Sequence, residues 1–189
     1  THGGRSMTFY PGGVRWNSDS GNCNANGEDY VMWCWKAGGA AVTNTDGTIN
    51  TQVSVNEEAG FSIATYTGNG STTATIGHGL GKTPAWIIIK NRSQADDWFV
   101  WVTGLNNNQG LEINTNDAVG TTNGYMGNEA PTSVFVGLGD GHNTNASSEN
   151  YVAYLWTSIQ GYSDFGIYEG TGAADGPFVY TGFKPSWLM

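Results

Sequence analysis

NCNANGEDYVMWCW (Asn22–Trp35) returns 121 residues later as NTNASSENYVAYLW (Asn143–Trp156). Seven of the fourteen positions are identical: Asn22/Asn143, Asn24/Asn145, Ala25/Ala146, Glu28/Glu149, Tyr30/Tyr151, Val31/Val152 and Trp35/Trp156. Trp33 faces Tyr154 as an aromatic exchange. Two more blocks follow in the same order: GFSIATYTGNG (Gly60–Gly70) faces GYSDFGIYEGTG (Gly161–Gly172), and TPAWIII (Thr83–Ile89) faces KPSWLM (Lys184–Met189). The offset falls from 121 to 101 because about twenty residues, mainly AGGAAVTNTDGTINTQVSVNE, lie only in the first copy. An internal duplication with one insertion accounts for all three blocks.

The repeated phrase also sets the secondary structure. In YVMWCWKA, Val31, Trp33 and Trp35 alternate with Tyr30, Met32 and Cys34, the period of a strand, and both faces are apolar enough to be buried. Further strands are predicted over 48–55, 61–67, 73–76, 85–90, 98–102, 111–114, 133–138, 151–158, 162–168 and 178–183, with Gly, Asn and Asp between them. NTDG (Asn44–Gly47) reads as a hairpin turn in which Asp-Gly supplies positive φ. Neither Leu nor Ala recurs with a helical period, so long helices are not expected. The fold class that follows is all-β: a β-sandwich of jelly-roll or lectin-like type with internally duplicated strand blocks. Residues 1–21 read as the tail of a preceding unit or an N-terminal strand, and 22–183 as the sandwich body, with repeats over 22–86 and 143–187. Residues 184–189 start a further strand, so both ends are expected to fall inside repeat units.

A formal net charge of -9 with only 7 Lys plus Arg argues against nucleic acid or an anionic membrane as partner. The longest apolar runs, such as Ala85–Ile89, are far too short to span a bilayer, and no signal-peptide pattern opens the chain. Cys23 and Cys34 face Thr144 and Leu155 in the repeat, so any Cys23–Cys34 bridge would belong to one copy alone.

YVMWCWKAGG, VTNTDGTINTQVSVN, AGFSIATYTGNG, GHGLGKTPAWIIIKNRS and DGPFVYTGFKPSW, spread over Asn22–Met189, resemble a β-rich repeat domain of virion proteins of marine tailed phages, including tail-fibre proteins. The resemblance implies a virion or extracellular location, a homo-oligomer or other virion proteins as partners, and no catalytic motif. Trp187, Leu188 and Met189, an apolar strand start, are candidate assembly residues.

Two residue sets invite a chemical reading. The loops Asp19–Glu28 and Asp140–Glu149 share the pattern DxxNxNAxxE, whose oxygens (Asp19, Asn22, Asn24, Glu28; Asp140, Asn143, Asn145, Glu149) would suit Ca2+. Against that, the EF-hand spacing is missing, and Asn and Asp populate turns by bonding to nearby backbone, so a repeated turn and no cofactor is the preferred reading. The other set is Arg92, Asp96, Asp97, Trp98 and Trp101, the residue types that bind sugars through ring stacking and hydroxyl hydrogen bonds. Alternation sets Trp98 and Val100 on one face against Phe99 and Trp101 on the other, so at least one aromatic pair is expected in the core. Adjacent Asp96 and Asp97 diverge and make a poor acid–base pair for glycoside hydrolysis. GHGLGK (Gly77–Lys82) lacks phosphate-loop spacing, and no GxSxG nor shared Ser, His and Asp set occurs. Asn69, Asn91 and Asn145 head glycosylation sequons of the kind an Asn- and Ser-rich chain generates by composition.

The expected function is a non-enzymatic virion structural module that can bind a cell-surface glycan. An extracellular filament subunit or adhesin is the alternative, and a glycan depolymerase the lesser one.

Overall fold

The computed structural model describes residues 7–16, 23–127 and 129–189. They form two units, residues 1–35 and 36–189. In the first, β1 (Met7–Tyr10) and β2 (Gly13–Trp16) make an antiparallel hairpin. In the second, one antiparallel sheet runs in the order β10-β9-β8-β7-β12-β5-β4-β3. Its strands are β3 (Val42–Asn44), β4 (Thr51–Asn56), β5 (Phe61–Thr67), β7 (Trp86–Asn91), β8 (Trp98–Val102), β9 (Gln109–Glu112), β10 (Gly120–Thr121) and β12 (Asn150–Trp156). β6 (Ala74–Gly77) pairs with β11 (Phe135–Leu138) and forms the second layer. The chain is all-β, and no helix occurs among the described residues.

Register explains the sandwich. Val53, Ala64, Ala153, Ile89 and Phe99 stand side by side across five strands, flanked by a second row of Leu155, Ile87 and Trp101. These residues pack with Ala74, Ile76, Val136 and Leu138 of the β6–β11 layer in one core. Each of those strands alternates, so its other residues point to the opposite face. There Phe61, Trp156 and Trp86 are cross-strand neighbours, with ring centroids 4.9 Å and 4.5 Å apart, and Phe165 stacks on Trp86 at 5.5 Å. Ala37 packs on the same cluster. Rings of this size bury large apolar areas and stabilise this face by stacking.

The insertion that separates the two sequence copies is the edge hairpin β3–β4, where extra chain can be added without interrupting any ladder. Its turn begins as expected at Asn44, whose Oδ1 accepts the Asp46 N–H at 3.0 Å. Gly47 is required for a different reason than positive φ: a Cβ there would lie 2.4 Å from the Thr75 carbonyl oxygen of the second layer.

Three predicted strands are not formed. Tyr30–Ala37 lies outside the ladders, with Val31 80% and Trp35 40% exposed, whereas Trp156 is 4% exposed. The expectation that both faces of this phrase are buried is therefore corrected for its first copy. The reason is position: β12 is a central strand hydrogen-bonded to β5 and β7, and alternation alone supplies no such neighbours. Residues 162–168 and 178–183 also lie outside strands; only the Ile159–Ser163 bridge forms there. Cys23 and Cys34 are not joined by a disulfide.

Candidate functional site

At the end of β7 the chain turns through Asn91, which is 1% exposed. Its Oδ1 accepts the N–H groups of Ser93 and Gln94 at 2.9 and 3.2 Å, an Asx turn that directs the amide nitrogen inward. That nitrogen donates its two hydrogens to Asp96 Oδ2 at 2.6 Å and to Glu149 Oε2, with the His142 carbonyl 3.2 Å and Tyr151 Oη 3.4 Å away. One carboxylate from each of the two sequence-predicted sets thus meets on a single amide. Hydrogen bonds to ionised acceptors are the strong ones, and here they tie two loops to the sheet.

Tyr151 completes the junction. Its hydroxyl donates to the His142 carbonyl at 2.7 Å and accepts the Ala146 N–H at 2.9 Å, while its ring stacks on Tyr66 at 5.2 Å. Burial raises its pKa far above the ordinary phenol value, against the Ala146 bond and with the Glu149 and Asp96 charges. Tyr66 is likewise raised, by burial and then by Tyr151, and donates to the Thr144 carbonyl at 2.6 Å. Both phenols are therefore neutral donors rather than bases.

The acidic, Asn-rich loop is wired as a turn. Asn145, fully buried, donates to Asn69 Oδ1 and the Ser71 carbonyl at 3.2 and 3.0 Å and accepts the Asn69 N–H. Asn143 donates to Glu112 Oε1 at 3.1 Å, Glu149 takes the Asn91 amide, and Asp140 is exposed. The four side chains expected to suit Ca2+ in this loop go to separate partners or to solvent. Of the other set, Asn24 and Glu28 are exposed, and Asp19 and Asn22 lie outside the described residues. Among the described residues no group of three or more His, Cys, Asp or Glu side chains could hold a metal. Asn91 and Asn145 are too buried in the folded chain to accept a glycan at their sequons, whereas Asn69 is exposed.

The sugar-type set is divided by the sheet. Trp101 belongs to the core at 5% exposure, its indole N–H donating to the Asn106 carbonyl at 3.3 Å, so it cannot stack on a ligand. Trp98 stands on the opposite face at 38% exposure. It ends a row running Gln52, Thr65, Val152, Lys90 and Trp98 from strand to strand. Lys90 uses its ammonium to hold the neighbouring loop, donating to the carbonyls of Asn91 and Asp96 at 2.8 Å each. Asp97 accepts from Asn114 Nδ2 at 2.7 Å and Asp96 from Asn91, while Arg92 is the exposed cation of this set. Arg92 lines a shallow depression with Asn50, Gln52, Thr65, Thr67 and Asn150. Amides, hydroxyls, one guanidinium and a nearby exposed indole make a surface suited to polyhydroxylated ligands.

His78, in the GHGLGK segment, is buried at 0% exposure. Its Nδ1 accepts the Leu80 N–H at 3.2 Å, which leaves the proton on Nε2, 3.2 Å from the Thr132 carbonyl. Burial lowers its pKa, opposed by that hydrogen bond and by Asp46.

Residues 3–189 match a family described as Domain of unknown function (DUF7483). The chain belongs to this family. No curated protein and no solved structure matches it.

Proposed function

We propose that this DUF7483 chain is a non-enzymatic structural module of a phage virion, in a tail fibre, the tail or a capsid decoration. The observation that carries the reading is the duplication itself: the phrases that form β12, β5 and β7, with β12 central in the sheet, each recur in the sequence. Arrays of such units build length by neighbour contacts rather than by a catalytic centre. The resemblance of the repeated phrases to marine tailed-phage virion domains supplies the setting, a virion or extracellular location with copies of itself or other virion proteins as partners.

Within that role the row ending at Trp98, with Arg92 at its rim, is proposed to bind a host-surface glycan. Immunogold labelling and peptide mass spectrometry of purified particles test the assignment. Label on cell-surface filaments instead of particles would favour the filament or adhesin reading, and cleavage of an oligosaccharide panel would favour the depolymerase. For the glycan, Trp98→Ala should lower binding to a glycan array about tenfold, the loss of one stacking contact of roughly 1.4 kcal/mol.

A further inference from the structure

We infer that residues 23–35 of one copy of this chain form a central strand between residues 161–168 and 184–189 of a second copy, whatever object the copies build. In the body, β12 is hydrogen-bonded on one side to β5 and on the other to β7, with Trp156 opposite both Phe61 and Trp86. The sequence repeats all three elements. Asn22–Trp35 repeats the β12 phrase, Gly161–Gly172 the β5 phrase and Lys184–Met189 the start of β7. At the same offsets Trp35 takes the place of Trp156, Tyr162 that of Phe61 and Trp187 that of Trp86.

The likeness extends to local geometry. Ala146 N–H donates to Tyr151 Oη at 2.9 Å, and Ala25 N–H donates to Tyr30 Oη at 2.9 Å. Glu149 N–H reaches the Ala146 carbonyl at 3.4 Å, and Glu28 N–H reaches the Ala25 carbonyl at 3.5 Å. The turn that launches β12 is thus already built ahead of Tyr30. Beyond it, Tyr30–Trp35 and residues 161–189 lie outside the ladders, and they carry the largest apolar exposures of the chain, with Phe178 at 89%, Leu188 at 85%, Val31 at 80% and Tyr180 at 79%. Strand sequences with exposed apolar side chains outside a sheet template pairing with complementary strands.

Chain order favours a second copy as the donor. In the body the chain passes β5 and β7 before β12. Copies set end to end restore that order at every junction, residues 161–189 of one being followed by residues 23–35 of the next. A head-to-tail contact of this kind is heterologous, so it propagates as a filament or closes as a ring.

The register gives a direct test. Leu155 opposes Ile87 in the body, so Cys34 should oppose Leu188 of the neighbouring copy. The full chain carrying Cys23→Thr and Leu188→Cys, mildly oxidised, should give a ladder of disulfide-linked oligomers on a non-reducing gel. Light scattering of the unmodified chain should give masses in multiples of 20.1 kDa. Trp35→Ala, or deletion of Pro185–Met189, should return it to the monomer mass. Neither change touches the core clusters, so near-ultraviolet circular dichroism should stay that of the folded body. A monomeric unmodified chain, a disulfide-linked monomer in place of a ladder, or an oligomer that survives both changes would each overturn the inference.

Discussion

Asn91 shows how much one amide can carry at the scale of a residue. Replacing it with Asp preserves size and the Oδ1 that caps the turn, yet turns a donor between two carboxylates into a third negative oxygen. Leaving a buried charge cluster uncompensated costs about 3–5 kcal/mol, so Asn91→Asp should lower stability by that order in urea titrations at pH 7. The deficit should shrink near pH 4, because protonating the introduced carboxyl removes its charge and restores a donor. A deficit independent of pH would mean that the carboxylates do not face the amide. His78 gives the opposite dependence. Its folded pKa is lowered by burial, so below the ordinary value of about 6.5 the unfolded chain binds a proton that the folded chain refuses. Stability is complete above that value and falls as pH drops from it toward the lowered folded value. Thermal midpoints at pH 7.5 and 5.5 should therefore diverge more for the parent chain than for His78→Gln. Neither residue stands out in the sequence: Asn91 reads as one of many asparagines and His78 as one residue of a glycine-rich segment, since burial comes from tertiary neighbours, Asp96, His142 and Glu149 at Asn91 and Thr132 and Val134 at His78.

Among the elements, strands 61–67 and 98–102 were readable to the residue because alternation, β-branching and turn punctuation agree there with the tertiary neighbours. The division of Trp98 from Trp101 follows from the same period. What alternation could not supply was adjacency. YVMWCW and YVAYLW are equally strand-like, yet only the second lies between β5 and β7, and this alone decides that Trp156 is buried and Trp35 exposed. Trp156→Ala should therefore cost about 3–5 kcal/mol, whereas Trp35→Ala should leave the unfolding midpoint of the body within about 0.5 kcal/mol of the parent. Equal losses from the two substitutions would restore the equivalence that the repeat suggests. The 140–149 loop is a case where sequence left two readings open. Its amide and carboxylate groups bond to Asn69, Ser71, Asn91 and Glu112, partners that a turn supplies for itself. Because a ligand stabilises only by binding the folded state preferentially, chelator or millimolar Ca2+ should leave the thermal midpoint unchanged; a rise of several degrees with Ca2+ would show that the oxygens regroup around a cation.

For the whole molecule, the sequence read as one sandwich running from residue 22 to 183, and the structure places the core in a shorter span. Both apolar clusters draw their members from residues 37 to 165, and the eight-stranded sheet together with the β6–β11 layer is complete between Val42 and Trp156. Residues 1–35 form a separate unit, and residues beyond Ile167, which lies against Gly104, add no member to either cluster. A domain that owns its core folds without what lies outside it. A fragment of residues 36–170 should therefore unfold in one cooperative transition, with the same near-ultraviolet signal from Trp86, Trp101 and Trp156 as the full chain. Its midpoint should lie within a few degrees of the parent, because truncation removes exposed segments and leaves the packed rows whole. The same fragment lacks the donor residues 23–35 and the 184–189 flank of the proposed acceptor, and should be monomeric at concentrations where the full chain associates. Loss of cooperativity in the fragment would show that residues 1–35 or 171–189 complete the core rather than extend it, and would move the duplicated strands from a contact between copies to a part of the body itself.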